Sequence, residues 1–362
     1  MTSYRFYFLL SILLLTGCGQ KPATDKASQA TGNTIKVGTF AALTGGNAVQ
    51  GQVMTDGVRL AIEEVNAAGG VLGRQIELLS EDTQTKSSDA ATVAAKLITN
   101  DNVVALIGEH ASSRSLAAAP IAQQSKIPML SPSSTNEKVT EIGDYIFRVC
   151  FVDAFQGEVM AKFAANNLKA KKVVILKDVK SDYSVGLAAA FTKTFTAQGG
   201  VVLAEQAYGS GDKDYKAQLT SVRSLAPDVI FVPGYYAEVA LIARQARELG
   251  ITVPLIGCDA WDSSALVEVA GAAVDGCYYS NHVSYSDTAQ TVQTFVAAYR
   301  KRFNMAPEVN SALGYDAGKI MAEAIRASGT AKPADIRAAL AATKNFPGIT
   351  GSITIDERRN AQ

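Results

Sequence analysis

The chain has 362 residues, 34 basic and 34 acidic side chains, a formal net charge of zero and 48% hydrophobic residues. That length accommodates two domains with substantial cores. The balanced charge argues against nucleic acid or an anionic membrane surface as the partner.

At the amino end, MTSYRFYFLLSILLLTGC carries one cation, Arg5, then an apolar run from Phe6 to Leu15 and the segment Leu15-Thr16-Gly17-Cys18. The run is too short to span a bilayer and has the organisation of a secretory signal. Leu-Thr-Gly-Cys resembles the bacterial lipobox, which implies cleavage after residue 17, a lipid on Cys18 and a membrane-anchored protein of the periplasm or cell surface. Removing residues 1–17 takes away only Arg5 and leaves a formal charge of minus one. Residues 18–33 then read as a flexible tether without large apolar side chains. Beyond Cys18 there are three cysteines, Cys150, Cys258 and Cys277. Cys258 and Cys277 are candidates for a bridge or for free buried thiols.

From Ile35 onward, short apolar runs alternate with amphipathic helical segments. Strands are expected at 35–40, 75–80, 103–107, 127–130, 173–176, 201–207, 229–232, 254–257 and 276–280. Helices are expected at 53–68, 87–100, 116–124, 156–167, 185–198, 215–224, 238–249 and 288–303. This alternation implies βαβ units and mostly parallel sheets. The segments Ala67-Ala68-Gly69-Gly70-Val71 and Ala197-Gln198-Gly199-Gly200-Val201 echo one another. Each closes a helix with glycine and leads toward a strand, as two similar halves would.

The most informative stretch is Gly108 to Thr140. The strand at 103–107 opens into His110-Ala111-Ser112-Ser113, and the strand at 127–130 opens into Ser131-Pro132-Ser133-Ser134-Thr135. Hydroxyls and free N–H groups at such junctions suit a small anion. Ser112 or Ser113 could equally be an ordinary N-cap, and Ser134 with Glu137 fits a capping box. In the second half, the strand at 229–232 is followed by Tyr235-Tyr236, and the strand at 254–257 by Asp259-Ala260-Trp261. Asp259 and Asp262 also read as possible helix caps. One lobe thus offers an anion site and the other a carboxylate with aromatic walls, a pairing that suits an α-amino acid.

These residues, in their order and spacing, resemble the extracellular solute-binding proteins of bacterial branched-chain amino acid ABC transporters, the leucine/isoleucine/valine-binding type. The markers are Ile35-Lys36-Val37, Thr44-Gly45, Asn66 to Gly73, Asp82, Ile107-Gly108, Ser131 to Asn136, Phe147-Arg148, Asp153 with Gln156-Gly157, and Gly234-Tyr235-Tyr236. The resemblance implies a type I periplasmic binding fold, two Rossmann-like lobes about a ligand cleft and a multi-strand hinge. Lobe I would comprise 34–153 and 283–362, and lobe II 154–282. Three crossing strands are expected of the family, and the sequence stops at Gln362 before the last of them.

The resemblance further implies that the ligand carboxylate is held by Ser112, Ser133 and Thr135, with Ser134 beside them. The ammonium would be met by Asp259, with Thr135 and the Ser133 carbonyl contributing. Tyr235, Tyr183, Asp153 and Trp261 are further ligand-binding candidates, and Gln50 stands where the leucine-type proteins have a tyrosine. Permease subunits of an ABC transporter are the implied protein partner, and the chain would be a monomer without a cofactor. A sensor of the same fold for an amide or small carboxylate is the alternative. The only histidines are His110 and His282, and no Gly-x-Ser-x-Gly, His-Glu-x-x-His, Walker-type or Gly-x-Gly-x-x-Gly stretch occurs. An enzyme is therefore not expected.

Overall fold

The computed structural model describes residues 34–362, so the expected signal segment, Cys18 and the tether lie outside the described residues. Two five-stranded parallel sheets form the frame. The first contains β1 (Ile35–Ala41), β2 (Ile76–Asp82), β3 (Ala105–Gly108), β4 (Met129–Ser131) and β5 (Ile146–Arg148), in the order β2-β1-β3-β4-β5. The second contains β6 (Lys172–Asp178), β7 (Val201–Tyr208), β8 (Val229–Phe231), β9 (Leu255–Gly257) and β10 (Tyr278–Tyr279), in the order β10-β9-β8-β6-β7.

Both sheets are covered on both faces, and the strands are apolar for that reason. Successive residues of a strand point to opposite faces. Ala105 and Ile107 enter one core with Val37, Leu130 and Phe147, while Leu106 enters another with Phe40, Met129 and Ile146. In the second sheet Val174, Ile230 and Leu255 pack on one side, and Val173, Ile175, Phe231 and Ile256 on the other.

The helices that matter for the site are α1 (Ala48–Ala67), α2 (Ser87–Thr99), α3 (Ser112–Gln124), α4 (Lys138–Glu141), α5 (Asp153–Asn166) and α6 (Asp182–Ala197). Further along come α7 (Lys216–Leu225), α8 (Tyr236–Glu248), α9 (Ser264–Ala270), α10 (Gln290–Phe303), α11 (Val309–Ala327) and α12 (Pro333–Ala341). The chain leaves the first lobe between β5 and α5, whose Met160, Ala161 and Ala164 pack on the second sheet. It returns between β10 and α10, whose Val292, Phe295 and Tyr299 pack with Leu60 of α1. An antiparallel hairpin, β11 (Phe346–Gly348) with β12 (Gly351–Ile353), follows α12.

In each sheet the strand order reverses once, between β1 and β3 and between β6 and β8. The crevice beyond the carboxyl ends of the strands at such a reversal is where open α/β sheets take ligands. The clusters singled out above follow β3 and its neighbour β4 in the first sheet, and β8 and its neighbour β9 in the second. Cys150, Cys258 and Cys277 are all free, so the possible bridge between the last two is not formed.

Helices α1 and α11 pack at close range because glycines face each other's backbones. A Cβ on Gly57 would lie 2.0 Å from the Ser311 carbonyl oxygen, and one on Gly314 would lie 2.2 Å from that of Met54. Because α1 carries Gln50 and α11 carries Asn310, this contact also sets one wall of the cleft. Gly57→Ala should lower the unfolding free energy by about 1–3 kcal/mol through forced separation of the helices. An unchanged denaturation midpoint would show that the helices give way freely.

Candidate functional site

The loop after β3 is built around the fully buried Glu109. Its carboxylate accepts hydrogen bonds from Arg114 Nε at 2.8 Å, Thr83 Oγ1 at 2.8 Å and the Ala111 N–H at 2.8 Å. Burial opposes its charge, but the Arg114 guanidinium, His110 and these donors outweigh it and hold the carboxyl below its usual range. The Glu109 carbonyl is a second hub, accepting from the hydroxyls of Ser115 at 3.1 Å, Ser131 at 2.8 Å and Ser134 at 2.8 Å. The loops after β3 and β4 are thereby tied to one residue.

The β4 loop is held from below by Arg148 of β5, a fully buried cation. It donates to the Ser134 carbonyl at 2.6 Å, the Glu137 carbonyl at 3.1 Å and Thr140 Oγ1 at 3.1 Å. This corrects the capping readings. Glu137 is itself the N-cap of α4 without a side-chain cap bond, and the N-cap of α3 is Ala111. Neither Ser134 nor Ser112 or Ser113 serves as a helix cap, because Ser134 Oγ bonds the Glu109 carbonyl, Ser112 Oγ the Asn136 N–H and Ser113 Oγ Asp182.

A narrow cavity of about 10 Å³ lies between the strand ends of the two sheets, lined by Gln50, His110, Ser133, Tyr183, Tyr235, Asp259, Ala260 and Asn310. Five of the candidate residues are brought together there: Gln50, Ser133, Tyr183, Tyr235 and Asp259. Ser133 Oγ donates to Asn310 Oδ1 at 2.7 Å and to the His110 carbonyl at 3.2 Å. Gln50 Nε2 donates across the cleft to the Ala260 carbonyl at 2.9 Å, and its Oε1 is buried without a partner. On lobe II the Tyr183 hydroxyl donates to Asp259 Oδ1 at 2.7 Å, and the Tyr183 and Tyr235 rings lie 5.2 Å apart. Asp259 begins a one-turn 3₁₀ helix whose N-cap is Cys258, and Asp262 ends it.

The other candidates stand behind this wall. Ser112 Oγ accepts from the Asn136 N–H at 3.2 Å. Thr135 Oγ1 and Asp153 Oδ2 are buried without a hydrogen-bond partner, while Asp153 Oδ1 accepts from Gln156 Nε2 at 3.2 Å. Burial pushes the Asp153 carboxyl well above its ordinary range, the main cause of its shift. Ser134 Oγ is engaged with Glu109 and with Ser115 at 2.7 Å. Trp261 packs in the core of lobe II, its Nε1 donating to the Val232 carbonyl at 3.0 Å, and does not reach the cavity. Asn310, brought in by α11, carries no local motif that would have marked it. His110 flanks the first serine cluster in sequence, and its place in the wall follows from the Glu109 loop.

Further hydrogen bonds join the lobes around the cavity. Ser113 Oγ donates to Asp182 Oδ2 at 2.9 Å and accepts from the Asp182 N–H at 2.9 Å. Asn136 Nδ2 donates to the Asp182 carbonyl at 2.8 Å, and the Ser264 N–H to Glu308 Oε1 at 2.9 Å. The lobes are therefore in a closed arrangement.

Comparison with known proteins agrees with this architecture. The sequence profile of a family described as periplasmic binding protein matches residues 34–362. A leucine-, isoleucine-, valine-, threonine- and alanine-binding protein of Pseudomonas aeruginosa is 29% identical over 90% of this chain and 87% of its own length. A Leu/Ile/Val-binding protein homologue of Brucella abortus is 30% identical over 90% of this chain and 86% of its own. Among solved structures, the leucine-binding protein LivK of Thermotoga maritima is similar with a TM-score of 0.87 and 41% identity, covering 91% of this chain and 93% of that one. The substrate-binding protein LivJ of Streptococcus pneumoniae, solved in complex with isoleucine, gives 0.86 and 34%, with 91% and 94% covered. With two parallel-sheet lobes and a profile match along its whole described length, the chain belongs to the type I periplasmic binding proteins, in the branched-chain amino acid ABC transporter group.

Proposed function

We propose that this protein captures a small amino acid between its lobes and delivers it to the permease of an ABC transporter, tethered to a membrane by a lipid on Cys18. The observation that carries the reading is the placement of Asp259 on lobe II across one cavity from the hydroxyl-rich strand ends of lobe I. The carboxylate suits an ammonium, and the hydroxyls and N–H groups after β3 and β4 suit a carboxylate. Like the rest of its family it is a binding protein, not an enzyme. Within the fold, lobe I would be 34–153 with 283–362 and lobe II 154–282.

The nature of the ligand side chain follows from the wall. Gln50 Oε1 is a buried acceptor with no partner, a cost of about 1–3 kcal/mol that a ligand hydroxyl or amide would remove. This favours a small amino acid with a hydrogen-bonding side chain over a purely aliphatic one. A related binding protein of Rhodopseudomonas palustris was solved with 3,4-dihydroxybenzoic acid. An aromatic acid would place no cation against Asp259 here.

Calorimetry against the common amino acids, with small amides and carboxylates beside them, tests the assignment. Asp259→Asn should cost about 2–5 kcal/mol of binding, because a buried ammonium loses its countercharge while the shape is kept. Ser133→Ala combined with Thr135→Val should weaken binding severely, because Ser133 lines the cavity and Thr135 is buried behind it in the same loop. Normal binding by the first variant would refute the ammonium assignment. Normal binding by the second would leave those hydroxyls a structural role only.

A further expectation concerns His110. Arg114 Nη2 lies 2.9 Å from His110 Nε2, and a guanidinium can only donate, so the ring proton must sit on Nδ1, 3.4 Å from Glu109 Oε2. Burial is the main cause that lowers its pKa to about 4, against the pull of Glu109. Between about pH 6.5 and 4 the unfolded chain takes up a proton that the folded chain refuses, so this group's contribution to stability falls with falling pH in that window. With only two histidines in the sequence, ¹⁵N spectra should show one imidazole still neutral and Nδ1-protonated at pH 5. Two imidazoles charged at pH 5 would contradict this.

A further inference from the structure

Asp259 is itself held by a residue outside the cavity. His282 lies on the segment returning from β10 to α10, with its side chain 4% exposed and Nε2 3.1 Å from Asp259 Oδ2. Its ring lies flat on Phe151, which belongs to the other crossing, between β5 and α5; the centroids are 3.5 Å apart and the planes 13° apart. A ring nitrogen facing a carboxylate carries a proton, so the neutral imidazole here is the Nε2–H form. Tyr183 serves one carboxylate oxygen and His282 the other. Each donor is fixed by packing, Tyr183 in the core of lobe II and His282 on the hinge.

We propose that His282 is a positioning residue for Asp259: its neutral ring aims the carboxylate at the ligand's ammonium, and its protonation weakens capture of that ammonium. The proposal rests on the reading of Asp259 given above. A neutral donor orients the carboxylate without competing for it. A protonated ring places a cation at hydrogen-bond distance from the same oxygens and repels the ammonium that should approach them. Imidazole is the side chain whose charge change ordinarily falls between pH 5 and 8.

The surroundings leave His282 as the group to test. Asp153, after the first crossing, is pushed well above its ordinary range by burial, as are the thiols of Cys258 and Cys150 and the hydroxyl of Tyr183. His110, from lobe I, is lowered to about 4. The groove that His282 borders on its other side, formed by Val149, Phe151, Phe155, Ser352, Ile353 and their neighbours, contains no charged side chain. Asp262, bonded to Asn281, is raised by burial to about 6 and is the control.

The test is calorimetry with L-threonine and L-isoleucine from pH 5 to 8. Wild-type affinity should fall about tenfold or more between pH 7.5 and 5.5. His282→Gln keeps a donor without a titrating charge, so it should flatten that profile while retaining most of the affinity at pH 7.5. His282→Ala should lose about tenfold or more at pH 7.5, and Asp262→Asn should keep the wild-type profile. A wild-type pH dependence in His282→Gln, or wild-type affinity in His282→Ala, overturns the proposal. A ligand-free arm separates its failure from that of the binding reading: ¹⁵N spectra should show neutral His282 as the Nε2–H tautomer, and that preference should weaken in Asp259→Asn. A proton on Nδ1 overturns the positioning role even if amino acids bind. Correct spectra with no binding of either amino acid would refute the reading of Asp259 as the ammonium partner, and with it the proposed effect on capture.

Discussion

The site depends on keeping one carboxylate charged in a place without water. Glu109 is fully buried, and its ionised state survives because Arg114, Thr83 and the Ala111 N–H all point at it. Removing one member of such a pair leaves an uncompensated buried charge, which generally costs several kilocalories per mole. Glu109 also offers its carbonyl to three serine hydroxyls from two successive loops. The geometry of Ser133 and Thr135 is thus inherited from a network that need not touch the ligand itself. Serines that look like ligand groups, Ser131 and Ser134 among them, are what makes the neighbouring positions rigid.

Lobe II solves the opposite electrostatic problem with fewer parts. Asp259 sits at a strand end with donors on both oxygens, one from the lobe's own α6 and one from the hinge segment. A carboxylate so restrained loses little freedom when a cation arrives, which is the advantage of preorganisation. The two switch points therefore present complementary charges from rigid elements.

Closure follows from this division. On the proposed reading neither lobe alone satisfies both ends of a zwitterion, so the ligand's differential contacts would supply the free energy that favours the closed arrangement. Direct bonds such as Ser113 to Asp182 and Gln50 to Ala260 add to it and define how the surfaces meet. Each such bond contributes only modestly, because opening the cleft exchanges it for hydrogen bonds to water, which suits a cleft that must reopen.

Much of the fold was legible in the chain. The alternation of apolar runs with helical segments specified two parallel sheets, because strands buried on both faces must be apolar and parallel strands need crossover helices. The positions of the serine clusters after β3 and β4, and of Asp259 after β9, at strand carboxyl ends were legible from the same alternation. Strand β5 (Ile146–Arg148) is short and ends on a buried arginine, and α11 buries polar residues such as Asn310, Ser311 and Asp316 among its apolar ones, so neither stood out in the chain. What only the tertiary structure decided is which polar groups are consumed by the scaffold. Ser134 and Trp261 look like site residues from their neighbours, yet Glu109 engages one and the lobe II core absorbs the other. Asn310 and His282 look ordinary, yet helix packing and the hinge bring one to Ser133 and the other to Asp259. Periodicity along the chain records which face of an element is buried, whereas the pairing of a hydroxyl or imidazole depends on contacts between residues far apart in sequence, and no local pattern encodes those.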